Sequence, residues 1–225
     1  WDVSNVKEMR EMFRSANSFN QDISNWNTSS LTTIREMFFG AVAFNNGLPA
    51  GVSSTTMNWD ISKVNNLNNV FNDALAFNGN INGWDVSNVT QAINTFDTAT
   101  NFNQPLDNWD VTSISRMENM FNEASLFDQD ISCWCVSHDP LRTGFSDSSP
   151  INSKSNFLPR WAQPCSPILT MDDSLSLAGD DTLIGPGESI TFTASFDRDI
   201  ASTVSYSLYG SSISSMTAVN STTFT

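Results

Sequence analysis

Large apolar residues in this chain recur on a fixed beat. Tryptophans stand at 1, 26, 59, 84, 109 and 134, at spacings of 25, 33, 25, 25 and 25. One phenylalanine series runs 13, 38, 71, 96 and 121, and a second runs 19, 44, 77, 102 and 127. Ala16, Ala41, Ala74, Ala99 and Ala124 each follow the first Phe by three, and Ile23, Leu48, Ile81, Leu106 and Ile131 form the aliphatic column before each Trp. All series slip once, by eight residues, between Leu48 and Trp59, which marks an insertion, "PAGVSSTT", at 49–56. Five copies of one unit therefore cover 1–133.

Each copy divides in two. Val6, Met9, Met12, Phe13 and Ala16 lie three or four apart, a spacing that predicts a short amphipathic helix. Ser4 or Asn5 stands where an N-cap belongs. The segment from Phe19 to Trp26 is polar with isolated large apolar residues, and predicts a turn followed by a short strand. Neither piece buries its aromatic residues alone, so the copies are expected to stack, with like residues above like and strands ~4.8 Å apart.

The polar columns fit the same stack. Asn20, Asn45, Asn78 and Asn103 share a column that ends in Asp128. An amide both donates and accepts, so it suits a ladder between coils. The Trp26, Trp59, Trp84 and Trp109 column is expected to be structural in the same way. The residue after each Trp is Asp2, Asn27, Asp60, Asp85 and Asp110, with Ser or Thr two further on, the pattern of a local side-chain-to-backbone turn. A cation ladder on this Asp row is disfavoured by its interruption at Asn27.

Composition narrows the partners. The 225 residues carry 10 Lys and Arg against 24 Asp and Glu, a net charge of −14. Such a surface disfavours nucleic acid and anionic lipid, and is compatible with cations, polar glycans or basic proteins. No apolar run is long enough to span a membrane. The chain begins at Trp1 inside a copy and stops at Phe224-Thr225 inside a strand-like stretch, which is expected of a piece of a longer protein. The single histidine, His138, and the absence of nucleotide, hydrolase or zincin fingerprints argue against catalysis. A C-x-C pair with one more Cys and a distant His is weak evidence for zinc.

"WDVSNVKEMREMFRSANSFNQDISN" at 1–25 resembles the unit of the BspA-like leucine-rich repeat family of surface proteins, while "WDVSNVTQAINTFDTATNFNQPLDN" at 84–108 departs at Ala92 and Thr95. The resemblance covers about the first 135 residues. It implies an α/β leucine-rich-repeat-like solenoid of short parallel strands and short helices, secreted or at the cell surface, associated with adhesion and partner binding. On this reading 1–165 is a solenoid, with repeats at 1–133 and a cap at 134–165 covered by Phe145, Phe157, Leu158 and Trp161. The resemblance also implies a Cys135–Cys165 disulfide across the cap, with Cys133–Cys165 as the alternative. A disulfide fits an oxidising compartment.

From Pro167 the composition turns rich in β-branched residues and Ser, and "SITFTASF" at 189–196 alternates like a strand. Residues 166–225 resemble the opening strands of a bacterial immunoglobulin-like β domain, cut short. No cofactor is expected, with calcium as the one candidate ion, at Asp172, Asp173, Asp180 and Asp181. The expected function is non-catalytic extracellular adhesion to a protein or polysaccharide, with Pro49, Gly51, Val52, Ser53 and Ser54 of the insertion as the candidate contacts. The alternative is a structural spacer, rigidified by calcium. Sequons at Asn27, Asn88 and Asn220 matter only in a eukaryotic source.

Overall fold

Every second backbone N–H of the apolar segment leaves its own coil. Met9, Glu11, Phe13 and Ser15 donate to the carbonyls of Thr33, Arg35, Met37 and Phe39, at 2.6–3.0 Å. The amides between them close tight turns instead: Met12 donates to Met9 O, Arg14 to Glu11 O and Ala16 to Phe13 O, at 3.0–3.3 Å. The pattern repeats up the chain, as when Leu67, Asn69, Phe71 and Asp73 donate to Gln91, Ile93, Thr95 and Asp97. This is a computed structural model, and it describes residues 1–53, 56–136 and 138–162, together with the backbone of 192–193 and 223–224.

The expected helix is absent, for a reason visible in the dihedrals. Two residues of each coil sit in the left-handed region: Glu11 and Ser15, Glu36 and Gly40, Asn69 and Asp73, Asn94 and Thr98, Asn119 and Glu123, with φ between 50 and 65°. A left-handed residue at every fourth position cannot belong to a right-handed helix. Two tandem turns give the same three-and-four spacing of apolar side chains, which is why the pattern reads as helical. The expected strands are reduced to isolated parallel bridges, Glu8 to Thr33, Thr56 to Asn80, Asn66 to Gln91, Gln91 to Arg116 and Arg116 to Leu141. Among the described residues there is no α-helix. The only helical turns among the described residues are 3₁₀, Pro150–Ser153 and Ser155–Phe157.

The α/β leucine-rich-repeat solenoid is therefore corrected to a stack of turn-rich coils. The immunoglobulin-like expectation is corrected as well. In that region the described residues show one antiparallel pair, β1 (Phe192–Thr193) against β2 (Thr223–Phe224), with Phe192 opposite Phe224, and no β-sandwich. Backbone contacts divide the chain into two compact units, Trp1–Cys165 and Ser166–Thr225.

The core of the first unit is aromatic. Phe13, Phe38, Phe71, Phe96 and Phe121 stack with ring centroids 5.4–5.7 Å apart. Phe19, Phe44, Phe77, Phe102 and Phe127 stack beside them at 5.7–5.9 Å. Within a coil the two rings lie face to face, as with Phe71 and Phe77 at 3.9 Å. Each such ring contributes roughly 1.5–3 kcal/mol by leaving water. The alanines at 41, 74, 99 and 124 are fully buried, and a larger side chain there would displace the rings.

Indole N–H groups tie coils together from the inside. Trp59, Trp84, Trp109 and Trp134 donate to the carbonyls of Ile23, Met57, Ile81 and Leu106 at 2.8–3.1 Å. This series places Met57 in the aliphatic column. Met57 is buried, whereas Leu48 is only half-buried. The insertion thus begins one column earlier than the sequence spacing suggests. After Trp134 the stack is closed by Phe145, which meets Phe121 edge-on at 5.4 Å and Trp161 at 5.0 Å. Ile151 is fully buried there, and Phe157 and Leu158 pack on the core from the side.

Candidate functional site

The asparagine column is a continuous hydrogen-bonded ladder. Asn20 Oδ1 accepts from the amide of Asn45 (2.8 Å), Asn45 Oδ1 from Asn78, Asn78 Oδ1 from Asn103, and Asn103 Oδ1 from Asp128. Gln104 and Gln129 add their side-chain amides to Asn78 and Asn103. The ladder ends at Asp128, whose main-chain N–H is its last donor and whose carboxylate pairs with Lys154 at 2.5 and 2.7 Å. Each rung joins a main-chain N–H to the side-chain Oδ1 of the coil before it, which leaves the Nδ2 donors of Asn20, Asn45 and Asn78 for other carbonyls.

The donors of the ladder also hold the insertion. Asn45 Nδ2 donates to Pro49 O and Val52 O, and Asn78 Nδ2 to Gly51 O. Gly51 N–H donates to Ala76 O, and Ser53 Oγ reaches Gln104 Oε1 at 3.4 Å. Gly51 has φ +71°, and a Cβ there would meet Asn101 Oδ1 at 2.6 Å. So the segment lies as a strap along the next coils, with Pro49 and Val52 outward. Ser54 lies outside the described residues.

Asp2, Asn27, Asp60, Asp85 and Asp110 each accept the amide two residues on, at 3.0–3.2 Å. The hydroxyl and the amide of the partnering serine hold the carboxyls of Asp2, Asp22 and Asp60 below the usual carboxylate range. These acids are committed to closing turns.

A second set of acids has no such role. Asp73, Asp97, Glu123 and Asp147 fall on one corner of four successive coils, where Asp73 N–H donates to Asp97 O and Glu123 N–H to Asp147 O. No salt bridge joins any of the four to a cation among the described residues. Burial pushes the Asp97 carboxyl up, hydrogen bonds from Asn122 and Thr98 oppose this, and the charges of Asp73 and Glu123 add to the rise. The same corner of the first two coils is different. There Arg14 stands in the column of Asp97 and Asp147, pairs with Glu36 and lies over the Phe39 ring at 4.4 Å. Residues 1–36 carry four cations against five acids, whereas residues 37–133 carry Lys63 and Arg116 against ten acids. Sequence reasoning missed this column. Its signal is present, since 73, 97, 123 and 147 recur at one or the other of two adjacent positions of the 25-residue unit.

Cys135 is disulfide-bonded, and Cys133 retains its thiol, with Sγ 3.8 Å from Asp107 O. Cys165 and the candidate calcium residues Asp172, Asp173, Asp180 and Asp181 lie outside the described residues. His138 Nε2 is 2.7 Å from Ile114 O. Among the described residues no group of three or more His, Cys, Asp or Glu is placed to hold a metal ion, and no helix is long and apolar enough to cross a membrane.

The adhesion role and the spacer alternative both rested on a leucine-rich-repeat solenoid and an immunoglobulin-like domain. Without those folds they lose their structural basis. No curated protein matches the chain, and no solved structure matches it. The family model that matches covers residues 1–54 and 49–157 and corrects the BspA-like assignment. The chain belongs to that family, described as Mycoplasma protein of unknown function, DUF285.

Proposed function

We propose that the first unit is a non-catalytic, secreted or cell-surface polyanion whose acidic corner associates with a basic protein. The observation that carries this reading is the column of Asp73, Asp97, Glu123 and Asp147, four acids on successive coils with no cation paired to them among the described residues. Like charges at coil spacing repel, and a polycation laid along them relieves that repulsion while releasing its own counterions. A neutral polysaccharide lacks the charge this corner addresses, so a protein partner is the narrower reading. The disulfide at Cys135 supports an oxidising compartment. The non-catalytic reading is supported by the acids whose roles are accounted for by turns and by the pairing of Asp128 with Lys154.

The test is binding of poly-L-lysine to the whole chain, titrated against salt. Two variants are compared. One carries Asp73→Asn, Asp97→Asn, Glu123→Gln and Asp147→Asn. The other carries Asp60→Asn, Asp85→Asn and Asp110→Asn, which keeps each turn as Asn27 does naturally. The reading expects saturable binding that weakens with salt and is largely lost in the first variant and largely kept in the second. Equal loss in both variants, or no saturable binding, overturns it.

A further inference from the structure

The chain contains three Asn–Gly pairs, 46–47, 78–79 and 82–83, and the fold treats them differently. An asparagine followed by glycine is chemically vulnerable, because the glycine amide nitrogen meets no Cβ on its approach to the asparagine side chain. Two of the pairs are locked. Asn46 is buried with its Oδ1 accepting from Ile23 N–H, and Gly47 N–H is spent on Asn20 Oδ1 at 2.9 Å. Asn78 is buried in the ladder, its Oδ1 accepting from Asn103 and Gln104 and its Nδ2 donating to Gly51 O, and Gly79 is buried beside it.

The third pair is open. Gly83 is exposed, and a Cβ built on it would meet nothing within 4 Å. Among the described residues no hydrogen bond is donated by its N–H. Asn82 is half-buried at the edge of its coil. Its Oδ1 accepts from Asn108 N–H at 3.0 Å, and its Nδ2 donates to Asp107 Oδ1 at 2.8 Å. The first of these bonds draws electron density from the amide carbon and stabilises negative charge that builds on Oδ1 during attack, as donors aimed at a developing oxyanion do.

We propose that Asn82 is a site of spontaneous deamidation, with water as the only co-reactant. The Gly83 nitrogen, having lost its proton to hydroxide, bonds to Asn82 Cγ. The Cγ–Nδ2 bond breaks and the nitrogen leaves as ammonia, giving a five-membered imide. Water then adds to one imide carbonyl and opens the ring, leaving a carboxylate on an ordinary or an iso-linked aspartyl residue. The product places that carboxylate against Asp107, where the amide formerly donated, so a hydrogen bond between neighbouring coils becomes a like-charge contact. Iso-linkage also lengthens the main chain by one carbon and shifts the Asn82–Asn108 register.

The test is peptide mapping by mass spectrometry of the whole chain aged in mildly alkaline buffer made with ¹⁸O-water, folded and in denaturant. The folded chain is expected to take up label at residue 82, with iso-linked product, while residues 46 and 78 stay as amides. In denaturant all three convert. The Gly83→Ala variant, whose new Cβ has open space, is expected to melt as the parent does and to lose label at 82 on the order of tenfold. Folded-state conversion at 46 or 78 as fast as at 82, or conversion at 82 only after unfolding, overturns the proposal. The folded-versus-denatured comparison on the parent chain decides the matter even if Gly83→Ala fails to fold.

Discussion

Two polar columns run up the same stack, and they behave in opposite ways. The Asn20–Asn45–Asn78–Asn103 column is self-consistent, since each neutral Oδ1 accepts the main-chain N–H of the next member and the Nδ2 groups of Asn45 and Asn78 hold the insertion. The Asp73–Asp97–Glu123–Asp147 column is self-opposing, since a carboxylate only accepts and like charges repel. Stacking copies of one unit amplifies whatever stands in each column. An amide column becomes a structural spine, and an acid column becomes a charge in search of a partner.

The largest test of this contrast is Asn78→Leu. It keeps the approximate size of the side chain but strands the Asn103 amide, the Gln104 side chain and Gly51 O. Each buried polar group left unpaired costs about 1–3 kcal/mol, so urea unfolding should show a loss of about 3 kcal/mol or more. A loss under about 1 kcal/mol would mean that the ladder is not the spine. Gly51→Ala comes next. Its positive φ and the approach of Asn101 Oδ1 predict a loss of about 1–2 kcal/mol by the same measurement.

The acid column predicts the opposite sign. Asp97→Asn should raise the melting temperature at neutral pH, because the ionised carboxylate is disfavoured where it sits. In the parent, a carboxyl with a raised folded pKa costs stability while ionised. Stability should therefore climb as pH falls from neutrality through that value, and stop climbing near the unfolded value of about 4. Asp97→Asn should flatten that climb. The smallest effect belongs to Asp60→Asn. Its carboxyl is held low by Ser62, so its contribution is present above the ordinary carboxylate range and is lost as pH falls through the lower folded value. At neutral pH the melting temperature should barely move, since Asn27 closes the equivalent turn. In acid the variant should lose less stability than the parent.

How much of this was legible in the sequence depends on the level. The contacts were legible, because residues that touch lie 25 apart: Phe71 meets Phe96, and Asn78 meets Asn103. The form of the backbone was not. Val6, Met9, Phe13 and Ala16 keep a helical spacing, yet the left-handed Glu11 and Ser15 break any helix. Nothing in glutamate or serine announces a positive φ, as a run of glycines at those positions would have done. The resemblance to leucine-rich repeats failed at the same point, since it supplied strands and helices that these coils do not form. Leu48 matched the aliphatic column by count, but Met57 fills it, because a chain that detours can return one column late. The acid column escaped notice because it alternates between two adjacent positions of the unit.

The strap formed by the insertion has a consequence for folding. Coils built on one pattern are nearly interchangeable, so a growing stack can pair a coil with the wrong neighbour, one full period out of step, and lose few aromatic contacts. Such slippage is the hazard of any translationally degenerate assembly. The strap removes the degeneracy. Pro49, Gly51 and Val52 find Asn45, Asn78 and Ala76 together at one alignment alone. An irregularity of eight residues in an otherwise periodic chain thus acts as an index mark, from which the remaining coils count their places.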